Sequence, residues 1–321
     1  MDRRDFLKAG LAAAPLLAGL PRVAMASARR GPLALTTADK EAHLVAISLA
    51  SGRIVKRIGT RDDPRSIECH GAAPAVVAHS GTGAISLIDT GGLAVRRVLK
   101  GFQTPRYTAI APDGRTAYVT DGGTGELAVV DLEAARVLRR IEVGAAARHL
   151  TLAPDGATIW IALGSSAAEI VVVDVRDARH PVVRRRVRPP FLAHDVGFSP
   201  TGRRVWVTAG REPRLALYGA HGHHRPQIVG ADAAPQHVTF GPTLAYVASG
   251  NGASVRLHSL ADGSVRRATR VPLGSYNIQR GGGRVLTPSL GTGQLTILDV
   301  HGRVLHETRA ASAAHDACVV A

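Results

Sequence analysis

Two Ala-His-Asp triplets, at residues 193–195 and 314–316, each stand just before a short run with strand character. Two further histidines hold the same place in other runs: His149 before "LTLAPDG" and His237 before "VTFGP". Ser66, Tyr107 and Asn277 fill that place in three more. Neutral imidazole is the commonest metal ligand, and three or four converging imidazoles suit Zn, Cu or Fe. His149, His194, His237 and His315 are therefore the candidate metal set. Asp195 and Asp316 each follow one of these histidines. A carboxylate in that position can accept from the outer ring nitrogen and orient the imidazole. The preceding slot holds Arg65, Arg106 and Arg148, and Gln236 in a fourth run. With Tyr107 and Asn277 these extend the candidate set to an organic or anionic ligand. The pattern leaves three chemistries open: a metal centre, a ligand held with the Arg residues, and polar side chains that bond only water and backbone.

What must position these residues is a repeat of about 40 residues, the period expected of radially repeated β structure. The stretches 105–144, 147–187, 193–222 and 236–271 share one plan. An alternating strand runs into Pro-Asp-Gly or a relative of it, which is a turn signal. A second strand follows ("TAYVTD", "TIWIAL", "RVWVTA", "LAYVAS"), then a Gly-rich turn and a third ("ELAVVDL", "EIVVVDV"). A fourth strand such as "RVLRRIEV" closes the unit. First strands begin near Ser66, Tyr107, His149, His194, His237, Asn277 and His315, at intervals of 38 to 45 residues. The seventh unit has one strand before the chain ends. The strands it lacks are at the other terminus: "GPLALTTAD", "AHLVAISL" and "RIVKRIG".

This plan resembles the YVTN-repeat β-propeller family, and Tyr118-Val119-Thr120-Asp121 is close to the motif itself. The resemblance covers nearly all of residues 29–321. It implies an all-β, seven-bladed propeller of four-stranded blades, closed where N-terminal strands pair with the C-terminal strand, which leaves no open edge. Such a fold hosts many functions. In a propeller the first strand of each blade lines the central channel. Ser66 and its six equivalents then form a ring at one channel mouth, with the Arg residues beside it.

The chain opens "MDRRDFLKAGLAAAPLLAGL", and Arg3-Arg4-Asp5-Phe6-Leu7-Lys8 looks like a twin-arginine (Tat) export signal. Ala24-Met25-Ala26 and Ala26-Ser27-Ala28 are small-residue cleavage candidates. Residues 1–28 are read as the signal and 29–321 as one domain. The apolar run is short for a membrane helix, and no later segment has 18 uninterrupted apolar residues. A monomer outside the cytoplasm, not spanning the membrane, is expected.

Forty Lys+Arg against 25 Asp+Glu give a net charge of +15. Removing residues 1–28 takes away Arg3, Arg4, Lys8 and Arg22 with Asp2 and Asp5, leaving +13. Such a charge favours anionic partners, among them nucleic acid and envelope polymers. The densest patch is "VVRRRVR", residues 182–188. The chain has no G-x-S-x-G, no P-loop, no CxxCH and no zincin helix. Seven-bladed lactonases and the streptogramin lyase resemble it in architecture, which keeps a metal-assisted enzyme as an alternative to a binding protein. The ring here is rich in His, with no acidic metal-binding set like theirs. His221, His223 and His224 form a loop cluster that reads as solvated. Cys69 and Cys318 occupy equivalent positions in neighbouring units, where side chains are expected to follow one another around the ring without meeting. Free thiols are expected.

Overall fold

The computed structural model describes residues 31–220, 225–231 and 233–320. The export signal expected over residues 1–28, and His221, His223 and His224, lie outside them. Among the described residues there are 28 strands, in seven four-stranded antiparallel sheets, and no helix. No helix there is long and apolar enough to cross a membrane.

Blades 1 to 6 each use four consecutive strands. Their innermost strands are Pro64–Glu68, Pro105–Ile110, Ala147–Leu152, Val196–Phe198, Val238–Phe240 and Gln279–Gly281. Blade 7 takes Ala314–Val320 as its innermost strand and completes itself with Leu33–Ala38, His43–Ser48 and Ile54–Gly59. Leu33 pairs with Val320, and Leu35 with Cys318. The ring thus closes by the two ends of the domain.

Burial follows position in the blade. The second strand of blade 3, Thr158–Leu163, is apolar on both faces and buried along its middle. Its outermost strand, Val182–Val187, alternates exposed and half-buried residues. Inner strands are covered on both sides by neighbouring blades, so they read as near-continuous apolar runs. The core is accordingly seven separate clusters, one in each blade-to-blade interface. The cluster between blades 3 and 4 holds Trp160, Phe198 and Tyr218, and the next holds Trp206 and Val247.

The turn between second and third strands carries a glycine with a repeated job. Gly83, Gly125 and Gly293 have φ of +61°, +74° and +68°. Each lies against a backbone carbonyl at the exit of its blade: Phe102, Gly144 and Ala311. Gly293→Ala would drive a Cβ into the Ala311 carbonyl in a left-handed conformation. We expect it to cost about 1–3 kcal/mol, read as a lower denaturation midpoint. An unchanged midpoint would mean that the turn relaxes freely.

The cysteines correct an expectation. Cys69 and Cys318 are joined in a disulfide, with Cα atoms 5.7 Å apart and 249 residues between them in sequence. Blades fan out from the axis, so their innermost strands are the closest parts of neighbouring blades. Equivalent positions there fall within the 4.4–6.8 Å range, roughly, that a disulfide bridges.

Candidate metal centre at the channel mouth

The motif threonines position the channel residues. Thr120 Oγ1 of blade 2 donates to the Arg148 carbonyl of blade 3 at 2.6 Å. Thr208 of blade 4 donates to the Gln236 carbonyl of blade 5, also at 2.6 Å. Each second strand thereby holds the next blade's first strand at the residue before its ring position. In blades 2 and 3 the register shifts between Pro105 and Thr108, and between Ala147 and Leu150. Such irregularities re-aim side chains. Here they span Arg106-Tyr107 and Arg148-His149, releasing adjacent residues from strict alternation.

Among the described residues, His149, His194 and His237 form one group whose ligand atoms all lie within 4.8 Å of one another. Ring centroids are 4.6 Å apart for His149 and His194, 4.7 Å for His149 and His237, and 5.2 Å for His194 and His237. Tyr107 packs on His149 at 4.3 Å. Gly210, at φ +69°, leaves room for the His194 ring, which a side chain there would strike.

The outer nitrogens are set by acceptors. His194 Nδ1 lies 2.9 Å from the Ser165 carbonyl, which can only accept, so Nδ1 carries the proton. His237 Nδ1 faces Asp195 Oδ2 at 3.3 Å. Its Nε2 accepts from the Tyr107 hydroxyl at 3.4 Å. His194 Nε2 is thereby left without a proton, while His237 Nε2 holds the Tyr107 hydroxyl. His149 is fully buried, and neither of its ring nitrogens has a hydrogen-bond partner. Burial, reinforced by the neighbouring histidines, pushes its pKa well below the ordinary imidazole value. Burial and His237 bring His194 down to about 4. These two are neutral imidazoles, the form that ligates metal.

The remaining ring residues serve elsewhere. His315 stands outside the group of three. Its Nδ1 donates to the Arg65 carbonyl at 2.6 Å, and its own carbonyl accepts from Asn277 Nδ2 at 2.7 Å. Burial lowers its pKa as well. Ser66 Oγ donates to the Arg106 carbonyl at 2.7 Å. Arg65 forks onto Asp39 at 3.0 and 3.1 Å. Gln236 is held by the Gly210 carbonyl and the Gly250 amide. The two Asp residues share a role that their place after His does not reveal. Asp195 accepts from the Val238 amide and Asp316 from the Ile67 amide, each on the following blade. Asp195 orients the next blade's His237 in addition, rather than its own neighbour His194.

Tyr107 and His237 separate two spaces. On one side is a mouth cavity of about 310 Å³ that includes Arg65, Arg148, His194 and His315. On the other is an axial cavity of about 270 Å³ that includes Glu68, Asp195 and Asp316. Glu68 had no place in the motif reading. It lies two residues past Ser66, and the period of 2 along a strand puts both on the channel side. Burial, then Asp316, pushes its carboxyl up to about 8, and burial brings Asp316 up to about 6.

Folded Glu68 thus holds its proton to higher pH than an unfolded chain, whose glutamate titrates at 4.5. Its contribution to stability is full below the unfolded value and is lost as pH rises through about 8. The loss runs at up to about 1.4 kcal/mol per pH unit. Urea midpoints should fall between about pH 5 and about pH 9 and fall less in Glu68→Gln. Equal slopes in the two proteins would place the titration elsewhere.

No family model matches the chain, and no curated protein matches it. Solved structures do. A functionally unknown protein from Desulfotomaculum acetoxidans DSM 771 superposes with a TM-score of 0.77 at 13% identity, over 89% of this chain and 98% of that one. Apo AztD from Citrobacter koseri gives 0.71 at 10%, over 90% and 97%. Hydrazine synthase from Kuenenia stuttgartiensis gives 0.69 at 14%, over 88% and 99%. At these identities the likeness is one of fold, a seven-bladed propeller.

Proposed function

We propose that this chain is an exported binding protein that holds one transition-metal ion, of the Zn, Cu or Fe type, between the buried His149 and the mouth-lining His194 and His237. The observation that carries this reading is His149: a fully buried imidazole with two unpartnered nitrogens, set among other imidazoles. An unsatisfied buried polar group costs about 1–3 kcal/mol. A ligand at that spot removes the cost. The orientation of His194 by the Ser165 carbonyl and of His237 by Asp195 supplies the outer contacts that metal-ligating imidazoles usually have.

The test is metal uptake by the tag-free mature protein. One equivalent of Zn²⁺, Cu²⁺ or Fe²⁺ is expected, lost in His194→Ala/His237→Ala. Metal that stays in this variant and leaves when His221, His223 and His224 are replaced would sink the axial centre.

The lactonase- or lyase-type alternative draws on the same ion, which would supply Lewis acidity next to the mouth. Turnover of a model lactone that disappears with the two histidines would favour it. Binding of an anionic polymer by the basic surface has weaker support. In "VVRRRVR", Arg184 pairs with Asp174, Arg186 pairs with Glu169, and Arg185 lies over the Trp160 ring. The densest basic patch is therefore largely compensated within the chain. The export reading rests on the resemblance of residues 3–8 to a Tat signal.

A further inference from the structure

Charge along the axis is sorted by the imidazole layer. The axial cavity holds Glu68, Asp195 and Asp316. The mouth cavity holds Arg65, Arg148 and Arg211 and, among the described residues, no carboxylate. Arg65 is neutralised by Asp39. Arg148 is not: its Nε is buried without a hydrogen-bond partner, and no described carboxylate pairs with it. Arg106, one blade earlier, makes no ion pair among the described residues either. Burial and then the charges of Arg148 and Arg65 pull its pKa down. The guanidiniums thus repel one another beside the histidine group.

Imidazole ligands bring no negative charge of their own. A dication seated among them would lie within the field of Arg148, whose charge already acts on His149 and His194. Three protein ligands also leave one position of a four-coordinate ion open. A small oxyanion satisfies both needs at once. It can bond the ion on one side and accept the guanidinium fork on the other, the geometry for which Arg is suited.

We propose that the mouth takes its metal ion as a pair with a small oxyanion of carboxylate or phosphate type, which fills the open coordination position and lies on Arg148. The pair rests on the metal reading above and adds its second component. Metal and oxyanion then bind with positive coupling, and by linkage each raises the affinity of the other by the same factor.

The experiment uses the mature protein with free Zn²⁺ held by a metal buffer, so that anion complexes in solution do not distort the measurement. Zn²⁺ affinity is read in chloride alone, with acetate, and with inorganic phosphate. Co²⁺ absorption reports the coordination change. One oxyanion should raise the affinity by a factor in the range of about 5 to 150, and the arm that does so identifies carboxylate or phosphate as the natural class. Arg148→Gln should bind Zn²⁺ more tightly than wild type in chloride, because a repelling charge is gone, while its coupling factor falls to about 1. Arg148→Lys keeps the charge and loses the fork, so it should keep the weak chloride affinity and lose much of the coupling. It also guards against a folding defect in the Gln variant.

Zn²⁺ binding that ignores both oxyanions would overturn the pair and leave the metal centre standing. Coupling that survives in Arg148→Gln would overturn the pair as well. Absence of Zn²⁺, Cu²⁺ and Fe²⁺ uptake alike under all three conditions would overturn the metal reading, and the pair with it.

Discussion

His149→Leu should stabilise the metal-free protein and at the same time destroy its metal site. The two effects have one cause. His149 is fully buried, neutral and without a hydrogen-bond partner on either nitrogen. Leu fills nearly the same volume with no polar atom, so the penalty of about 1–3 kcal/mol for unmet donors and acceptors disappears. The unfolding free energy of the metal-free variant should rise by that order. Removing one of three ligands should weaken Zn²⁺ binding by more than ~100-fold, since loss of a mere supporting contact already costs about 10–100-fold. Denaturant unfolding in a chelator and competition titration measure the two sides. A variant that is less stable without metal would show that His149 packs for structure. A variant that still takes Zn²⁺ at wild-type affinity would remove His149 from the site. The combination expected here, gain of stability with loss of binding, is the mark of a residue kept for a ligand.

Opening the Cys69–Cys318 bond is the second large effect. The bond ties blade 1 to the C-terminal strand of blade 7 and spans 249 residues of sequence. Cross-linking so long a loop restricts the unfolded chain strongly, by about 5 kcal/mol in the chain-entropy model. Measured values run lower, commonly about 2–4 kcal/mol. Cys69→Ala/Cys318→Ala should lose stability of that order. The same loss should appear in wild type under reducing conditions, and reduction should leave the variant unchanged. Both cysteines pack with Leu35 and Val77 in the interface between blades 7 and 1, so the alanine variant also leaves a small void. The reduced wild type, which keeps both sulfurs, separates the bond from the void. Equal midpoints for oxidised and reduced protein would show that the antiparallel pairing of Leu33–Ala38 with Ala314–Val320 closes the ring unaided.

The fold was legible in the order of residues alone. Period-2 alternation, Pro-Asp-Gly turns and repeat spacing are local properties, and each unit of "YVTD" kind builds the same blade wherever it stands. The stranded half-units at the two ends determined closure for the same reason: a lone final strand and three unpaired initial strands complete one sheet. The ring slot was legible too, because a radial repeat brings equivalent residues to one axis.

Which of those residues face each other is set by the packing of neighbouring blades. Four histidines share the slot. His149, His194 and His237 converge, while His315 turns its Nδ1 to the Arg65 carbonyl of the adjoining blade. That choice depends on a backbone acceptor 250 residues away in sequence. The bulges that free Arg148 and His149 from alternation depend on pairing with Thr158–Leu163. The disulfide depends on how closely two innermost strands approach near the axis. Asp195 was read beside His194 and acts on His237, because a carboxylate one residue along a strand reaches the next blade more readily than its own neighbour. A repeat encodes where each side chain enters the ring. The partners it meets there are set by the blades on either side.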